Sequence, residues 1–493
     1  MTEALPFQSI AMHARSQSRM FDMALARQLR DEYGASIHLY CSSSDKARFY
    51  EELNSDGLFA SISVPPFLET AFQPAGDPER LYSEARDYER RLGSTINSLV
   101  MTNRHFGRGY SLGGFYHPRS RYSEASYPQI VNAYVSALRY WEDEFRRRDI
   151  TFVLNGDKIA ASASRMQGIP FRSMAGSRFQ NYHYWAVNEY YDNPRFEAAF
   201  ARATGESDIK LEAPYDAHLA NRSRYQRSRS LWWMIKSMGM TGLKYVRQRL
   251  RSGSAPAGYY LRENLSYILR MRRDERRLAS LATTKLDDLE GQRFVYFPLH
   301  IEPEAALQII SPEYFYQLSA IAALSRDLPA GVVLAVKEAF GAIGRRPRNF
   351  YEQILEFKNV VLLETMEMGL ECVRRADAVA TICGTAGFEG AALATPVVAF
   401  GRHNIYNLVP HVRTITDEAT LADDLRWALE ERHDVEALRR DGRRLLEAVV
   451  AGSFDMREYD YADVHSFDPA AVEAAHAALV SSFDTVSRPS FSA

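Results

Sequence analysis

The sequence predicts a protein of the α/β class, built as two doubly wound domains with a basic helical segment between them. Three observations lead there. Short apolar runs with strand character alternate with amphipathic stretches at helical spacing. The connections are short and rich in Gly, Pro, Asn and Asp, the pattern of strand–helix–strand units in a parallel sheet. The alternation stops in the middle of the 493 residues and then restarts, and that length exceeds one ordinary core.

In the first half, Phe7–His13 reads as a strand. Arg19–Tyr33 carries Phe21, Ala24, Leu25 and Leu29 on one helical face, Gly34 breaks it, and Ser36–Cys41 is the next strand. Residues 103–127 are aromatic and Arg-rich and read as long loops over a cleft. Tyr134–Arg147 is an amphipathic helix. Then comes a compact unit: strand Thr151–Leu154, loop Asn155-Gly156-Asp157, helix Lys158–Met166, turn Gln167–Pro170 and strand Pro170–Met174.

The middle departs from this rhythm. Residues 221–277 hold fifteen Lys or Arg against three acids, a local excess of +12 in a chain whose total is −2. Trp232, Trp233, Met234, Ile235, Met238 and Met240 lie within it. Basic helices with Trp at one edge suit an anionic membrane surface. The plainer alternative is a helical linker whose Trp residues pack on a neighbour.

The second half restarts with strands at Arg293–Pro298, Gly331–Lys337, Val360–Leu363, Ala378–Ile382 and Pro396–Phe400. Helices read at Pro312–Ser325, Arg348–Leu355, Met368–Arg375 and Phe388–Leu393, and beyond them at Leu421–Glu431, Val435–Val450 and Asp468–Phe483. The expected division is an N-terminal Rossmann-like domain (1–215), the basic helical insert (216–290), a second Rossmann-like domain (291–465) and a closing helix with its tail (466–493).

Composition narrows the function. The 46% hydrophobic and 25% charged fractions are those of a globular protein. A net charge of −2 argues against nucleic acid as the partner of the whole chain. Three cysteines without metal-ligand spacing form no disulfide framework and fit a reducing cytoplasm. The N-terminus lacks a signal-peptide pattern, and no run approaches the length that spans a bilayer, so membrane contact is expected to be peripheral.

Candidate site residues cluster at strand ends, where ligands sit in such sheets. His300 and Glu302, with Glu304, follow the first strand of the second half. Lys337 and Glu338 end the next. Lys337 can hold a phosphate as a point charge, or simply pair with Glu338. Gly341, Gly344, Arg345 and Arg346 form a loop able to lie over an anion. The stretch TICGTAGFEG (381–390) places Cys383, Gly384, Thr385, Ala386 and Gly387 between strand and helix. Backbone N–H groups at a helix start lack intrahelical partners and attract anions, and glycine lets a ligand approach. Residues 385–387 are expected to cradle a phosphate, with Glu389 nearby for sugar or ribose hydroxyls; a small-residue turn made for packing is the alternative. Glu364–Glu371 reads as site wall. In the first half, Asp157 is the candidate catalytic base for an acceptor hydroxyl, although Asn-Gly-Asp is also strong turn chemistry. His183, Glu189 and Asp192 are weaker candidates.

Two Rossmann-like domains facing a cleft, joined by a helical connection and closed by a C-terminal helix, make the GT-B arrangement. In order, YFPLHIEPE (296–304), VKE with GRRP (336–338, 344–347), FYEQI with NVVLL (350–354, 359–363) and ADAVATICGTAGFEGAALATPVVAFG (376–401) resemble the capsule polysaccharide biosynthesis and export family, which includes retaining β-Kdo transferases. NGD (155–157) with GIPF (168–171) looks like the family's N-terminal counterpart. The resemblance implies a GT-B glycosyltransferase of surface polysaccharide assembly. Its donor would be a nucleotide-sugar, commonly CMP-Kdo, bound as substrate without a cofactor or metal. Its acceptor would be a lipid-linked or polymeric glycan, met in the cytoplasm or at the inner membrane through 222–277. The sequence departs from the family at Ala339-Phe340, where His-Pro is usual, and at Met366-Glu367-Met368, where an acidic-Ser signature is usual. His300 is one substitute for the missing imidazole. Two other readings are a nucleotide-sugar epimerase of the same shape and a catalytically degenerate protein that binds glycan.

Overall fold

A computed structural model describes residues 5–484 apart from 16–17, 102, 107–117, 212–222, 224, 228–229, 253–258, 303–306, 308–309, 315 and 458–466. Glu304, three bases of the basic segment (Arg222, Arg224 and Arg229) and the middle of the aromatic 103–127 stretch lie outside the described residues. The α/β class is borne out. The chain forms two units, each with one largely parallel sheet. The first takes Met1–Leu99, Tyr127–Ala203 and Glu447–Ala493, and the second Val100–Ser126 and Thr204–Leu446.

The first unit holds β1 (Ser9–His13), β2 (Ser36–Tyr40), β3 (Ser61–Ser63), β4 (Phe152–Leu154), β5 (Phe171–Gly176) and β6 (Tyr182–Ala186). The second holds β7 (Phe294–Pro298), β8 (Val333–Lys337), β9 (Val360–Leu362), β10 (Ala378–Thr381), β11 (Val397–Ala399) and β12 (Val412–Thr414). The last strand, β13 (Phe454–Asp455), returns to the first unit. The sheets run β3-β2-β1-β4-β5-β6-β13 and β9-β8-β7-β10-β11-β12. All pairings in the second sheet are parallel. In the first, β5–β6 and β6–β13 are antiparallel. Each sheet begins at its middle, winds outward one way, then returns and winds the other way. The strand order therefore reverses between β1 and β4, and again between β7 and β10, and ligands of doubly wound sheets bind at that reversal.

The strands are apolar on both faces because helices cover both. Ile10, Met12, Ile37, Leu39, Phe152 and Leu154 pack with Phe21, Leu25 and Leu29 of α1 (Arg19–Tyr33) and with Val472 and Leu479 of a distant helix, Pro469–Ser481. The Trp185 indole N–H donates to the Ala475 carbonyl at 2.8 Å and pins that helix to β6. α1 stops at Gly34, whose φ of 65° only glycine adopts freely.

Several boundaries move. The helix expected from Tyr134 begins at Tyr127, where Pro128 fits the first turn. The helix expected from Phe388 begins at Thr385. The expected helix at Pro312–Ser325 is a short 3₁₀ turn followed by Gln317–Asp327. The basic segment folds as α2 (Leu231–Ser252) and α3 (Leu261–Leu281), which pack on each other. Of the two tryptophans that the linker reading packs on a neighbour, Trp233 is half-buried and Trp232 is 69% exposed.

Candidate active site

At the β7–β10 reversal, the loops after both strands meet. The ladder extends one residue past β7, with the Leu299 N–H donating to the Lys337 carbonyl at 2.8 Å. His300 comes next, and its backbone is clamped. Its N–H donates to Gln317 Oε1 at 2.6 Å, and its carbonyl accepts from Gln317 Nε2 at 3.0 Å and Arg346 Nη2 at 2.7 Å. The ring Nε2 accepts from the Cys383 N–H at 3.1 Å. A backbone N–H only donates, so the geometry assigns the neutral tautomer with its proton on Nδ1.

β10 feeds the other side. The Gly384 N–H donates to Thr381 Oγ1 at 3.1 Å, and Thr385 starts the helix Thr385–Ala392. A Cβ at Gly384 would lie 2.9 Å from Thr381 Oγ1 and 3.1 Å from His300 Nε2. A Cβ at Gly387 would lie 2.5 Å from the Tyr406 ring. Both glycines are thus required by close packing. The turn also uses part of its own donor set, because the Gly387 N–H bonds the Gly384 carbonyl at 3.2 Å. Thr385 is exposed at the helix start, Ala386 is buried and Glu389 half-buried. The Glu389 carboxylate lies near enough to the buried Tyr296 phenol to raise its pKa, although burial raises it more.

Lys337 ends β8 directly beside Pro298 of β7. Its amine is buried and donates to the Glu338 carbonyl at 3.4 Å, with the Phe340 ring centre 5.2 Å away. Among the described residues no carboxylate forms an ion pair with it. Burial pushes its pKa below the usual 10.5, against the pull of Cys372, Glu338 and Glu367. Burial pushes the Cys372 thiol up to about 12, so it stays protonated and is no nucleophile at neutral pH. Phe340, where the resembled family has Pro, stacks on Tyr225 at 4.6 Å.

Glu338 and Glu302 are used otherwise. The buried Arg346 guanidinium bonds both oxygens of Glu338 at 2.7 and 2.8 Å, and Glu302 Oε2 at 2.8 Å. Glu338 also accepts from the Tyr351 hydroxyl and the Ala339 N–H. Burial raises the Glu302 pKa, opposed by Arg346. This network ties the loops after β7 and β8 together. Arg345 turns away, its Nε donating to the Tyr267 hydroxyl on α3 at 3.1 Å.

In the first unit, Asp157 is exposed and caps the helix Lys158–Met166, accepting the Ala160 N–H at 2.8 Å. Asn155 is left-handed at φ 58°, and its Oδ1 accepts the Met174 N–H at 3.0 Å, joining the loop to β5. His13, read from the sequence only as the end of a strand, ends β1 beside this loop, since Met12 pairs with Leu154. Its ring lies against Trp141 at 4.9 Å. Burial lowers its pKa, with the Asp157 carboxylate opposing. Glu189 is committed to Arg165, Asp192 accepts from Asn188, and His183 Nδ1 bonds the Asn181 carbonyl. The structure gives those three local structural partners.

No family model and no curated protein matches the chain. Among solved structures, similarity is found to a Thermosulfurimonas dismutans KpsC β-Kdo 2,7 transferase at 12% identity, over 70% of this chain and 89% of that one, with a TM-score of 0.33. Anabaena Alr3699/HepE, solved with UDP-glucose, aligns at 12% identity over 96% of this chain and 99% of that one, with a TM-score of 0.32. The UDP-GlcNAc 2-epimerase of Neisseria meningitidis aligns at 10% identity over 97% and 99%, with a TM-score of 0.25. At such scores these likenesses assign no activity.

Proposed function

We propose that this chain is a GT-B glycosyltransferase that uses a nucleotide-activated sugar. Lys337 carries the reading. A buried cation whose hydrogen bond is long and which lacks an ion-pair partner among the described residues is costly, and it stands at a strand's carboxyl end beside a topological reversal. An anionic ligand there offsets the cost. The donor phosphate, or the carboxylate of an acidic sugar such as Kdo, has the matching charge. The exposed start of Thr385–Ala392 adds a second anion-directed group. His300 is the proposed substitute for the missing imidazole, its ring held against the β10 turn through the Cys383 N–H. Lys337 and the helix start take the phosphate charge in this reading, without a metal. Asp157 is the base for the acceptor hydroxyl, and the acceptor is a lipid-linked or polymeric glycan of capsule or surface polysaccharide. The basic segment would meet the anionic inner membrane.

A thermal-shift screen against CMP, UDP, GDP and their sugars tests the donor half. A ligand at a hundred times its Kd stabilises the fold by about 2.7 kcal/mol. The expected outcome is stabilisation by one nucleotide class, CMP favoured, and its loss in Lys337→Met. If no nucleotide stabilises the wild type, the reading fails.

A further inference from the structure

We propose that α2 is an interfacial helix that lies in the headgroup layer of an anionic membrane with one defined face downward. Leu231, Ile235, Leu243, Val246 and Leu250 recur three, four or eight residues apart and make one stripe, with Trp232 at its side. All six are open to solvent, at 54, 59, 63, 52, 82 and 69% exposure in that order. Gly239 lies in the same stripe, and nothing within 4 Å would meet a Cβ there. The opposite side, with Trp233, Met234 and Thr241 half-buried, is the less exposed one, and α2 packs on α3. A contiguous apolar stripe left open on a folded unit marks an interaction surface.

Charge identifies the occupant. The helix sequence holds five Lys or Arg and no acid. Lys236, Arg247 and Arg249 are exposed along the stripe or at its edge. A second copy would bring like charge against like charge, whereas an anionic lipid surface accepts the bases and buries the stripe. Among the described residues no helix is long and apolar enough to cross a membrane.

The helix also reaches the candidate site. α3 holds the loop after β8 at several points. Gly344, at φ 86°, sits so close that a Cβ would come 2.7 Å from Met271 Cα, Arg345 bonds Tyr267, and Arg270 donates to the Arg346 carbonyl. The lipid-facing helix is therefore braced, through one partner helix, on the loop of Lys337 and Arg346. This deepens the glycosyltransferase reading by naming the acceptor's setting, a lipid surface rather than free solution.

The test is flotation of the full chain with phosphatidylcholine vesicles, with and without phosphatidylglycerol. Binding is expected only with phosphatidylglycerol. It should fall about tenfold or more in Leu243→Glu/Leu250→Glu and in Lys236→Glu/Arg249→Glu. Both pairs are exposed, so nucleotide stabilisation should persist in them and serve as the folding control. No flotation of the wild type overturns the proposal. So does a wild-type dimer that the Leu pair converts to monomer without vesicle binding, since the stripe is then a self-interface. Vesicle binding without any nucleotide stabilisation leaves this surface standing and removes the glycosyltransferase reading alone.

Discussion

Two neighbouring cations at the end of β8 have opposite energetics. Arg346 is buried but fully paired, with two carboxylates and the His300 carbonyl around it. Arg346→Met should cost about 3–5 kcal/mol in denaturant unfolding, because it leaves two buried carboxylates uncompensated. Lys337 is buried with one long hydrogen bond. Lys337→Met should leave stability unchanged or raised while abolishing nucleotide stabilisation, a combination that a merely structural lysine would not give. The pH dependence has a definite sign. The folded pKa lies below 10.5, so between the two values the unfolded chain binds more protons and stability rises with pH. Lys337→Met should lose that rise, as measured by unfolding across the alkaline range. In the first unit, Asp157→Asn keeps a side chain able to cap the helix while removing the base. Expected are an unchanged melting temperature and lost transfer; full activity would exclude Asp157 as the base.

At the scale of elements, the β10 turn separates two roles the sequence left joined. Gly387→Val drives a side chain into Tyr406 and should destabilise the second unit whether or not a ligand binds there. Thr385→Ala touches an exposed first-turn residue. It should keep the melting temperature and weaken nucleotide binding about tenfold in calorimetric titration, the loss of one charge-assisted hydrogen bond. Unchanged affinity would remove the cradle. Strand and helix identities over 7–41, 151–176 and 293–400 were legible because apolar runs and turn residues are local signals. The helix Pro78–Leu92 was also legible in principle: Asp77 caps it, Pro78 opens it and Gly93 closes it. β13 was not, since two residues carry no period and find β6 some 270 positions away in sequence. His13 acquires meaning only from the β1–β4 pairing, and Arg346 only from Glu302, distant in sequence but adjacent in the fold. An Arg pair in a loop reads as an anion site until burial shows which member is structural.

Over the whole molecule, the same winding is used twice, and each reversal point gathers polar groups from loops far apart in sequence. The chain is nearly neutral in sum and strongly basic in one helical pair, so its electrostatics belong to a surface, not to the molecule as a whole. The two units differ in continuity. Nearly all of the second is one run, 204–446, while the first closes its core only when Pro469–Ser481 docks on α1 and Trp185. During synthesis the N-terminal sheet is thus begun first and completed last. At about 5–20 residues per second, the apolar face of α1 waits for tens of seconds while the second unit emerges and folds. Over that interval Phe21, Leu25 and Leu29 are presented to whatever binds nascent chains.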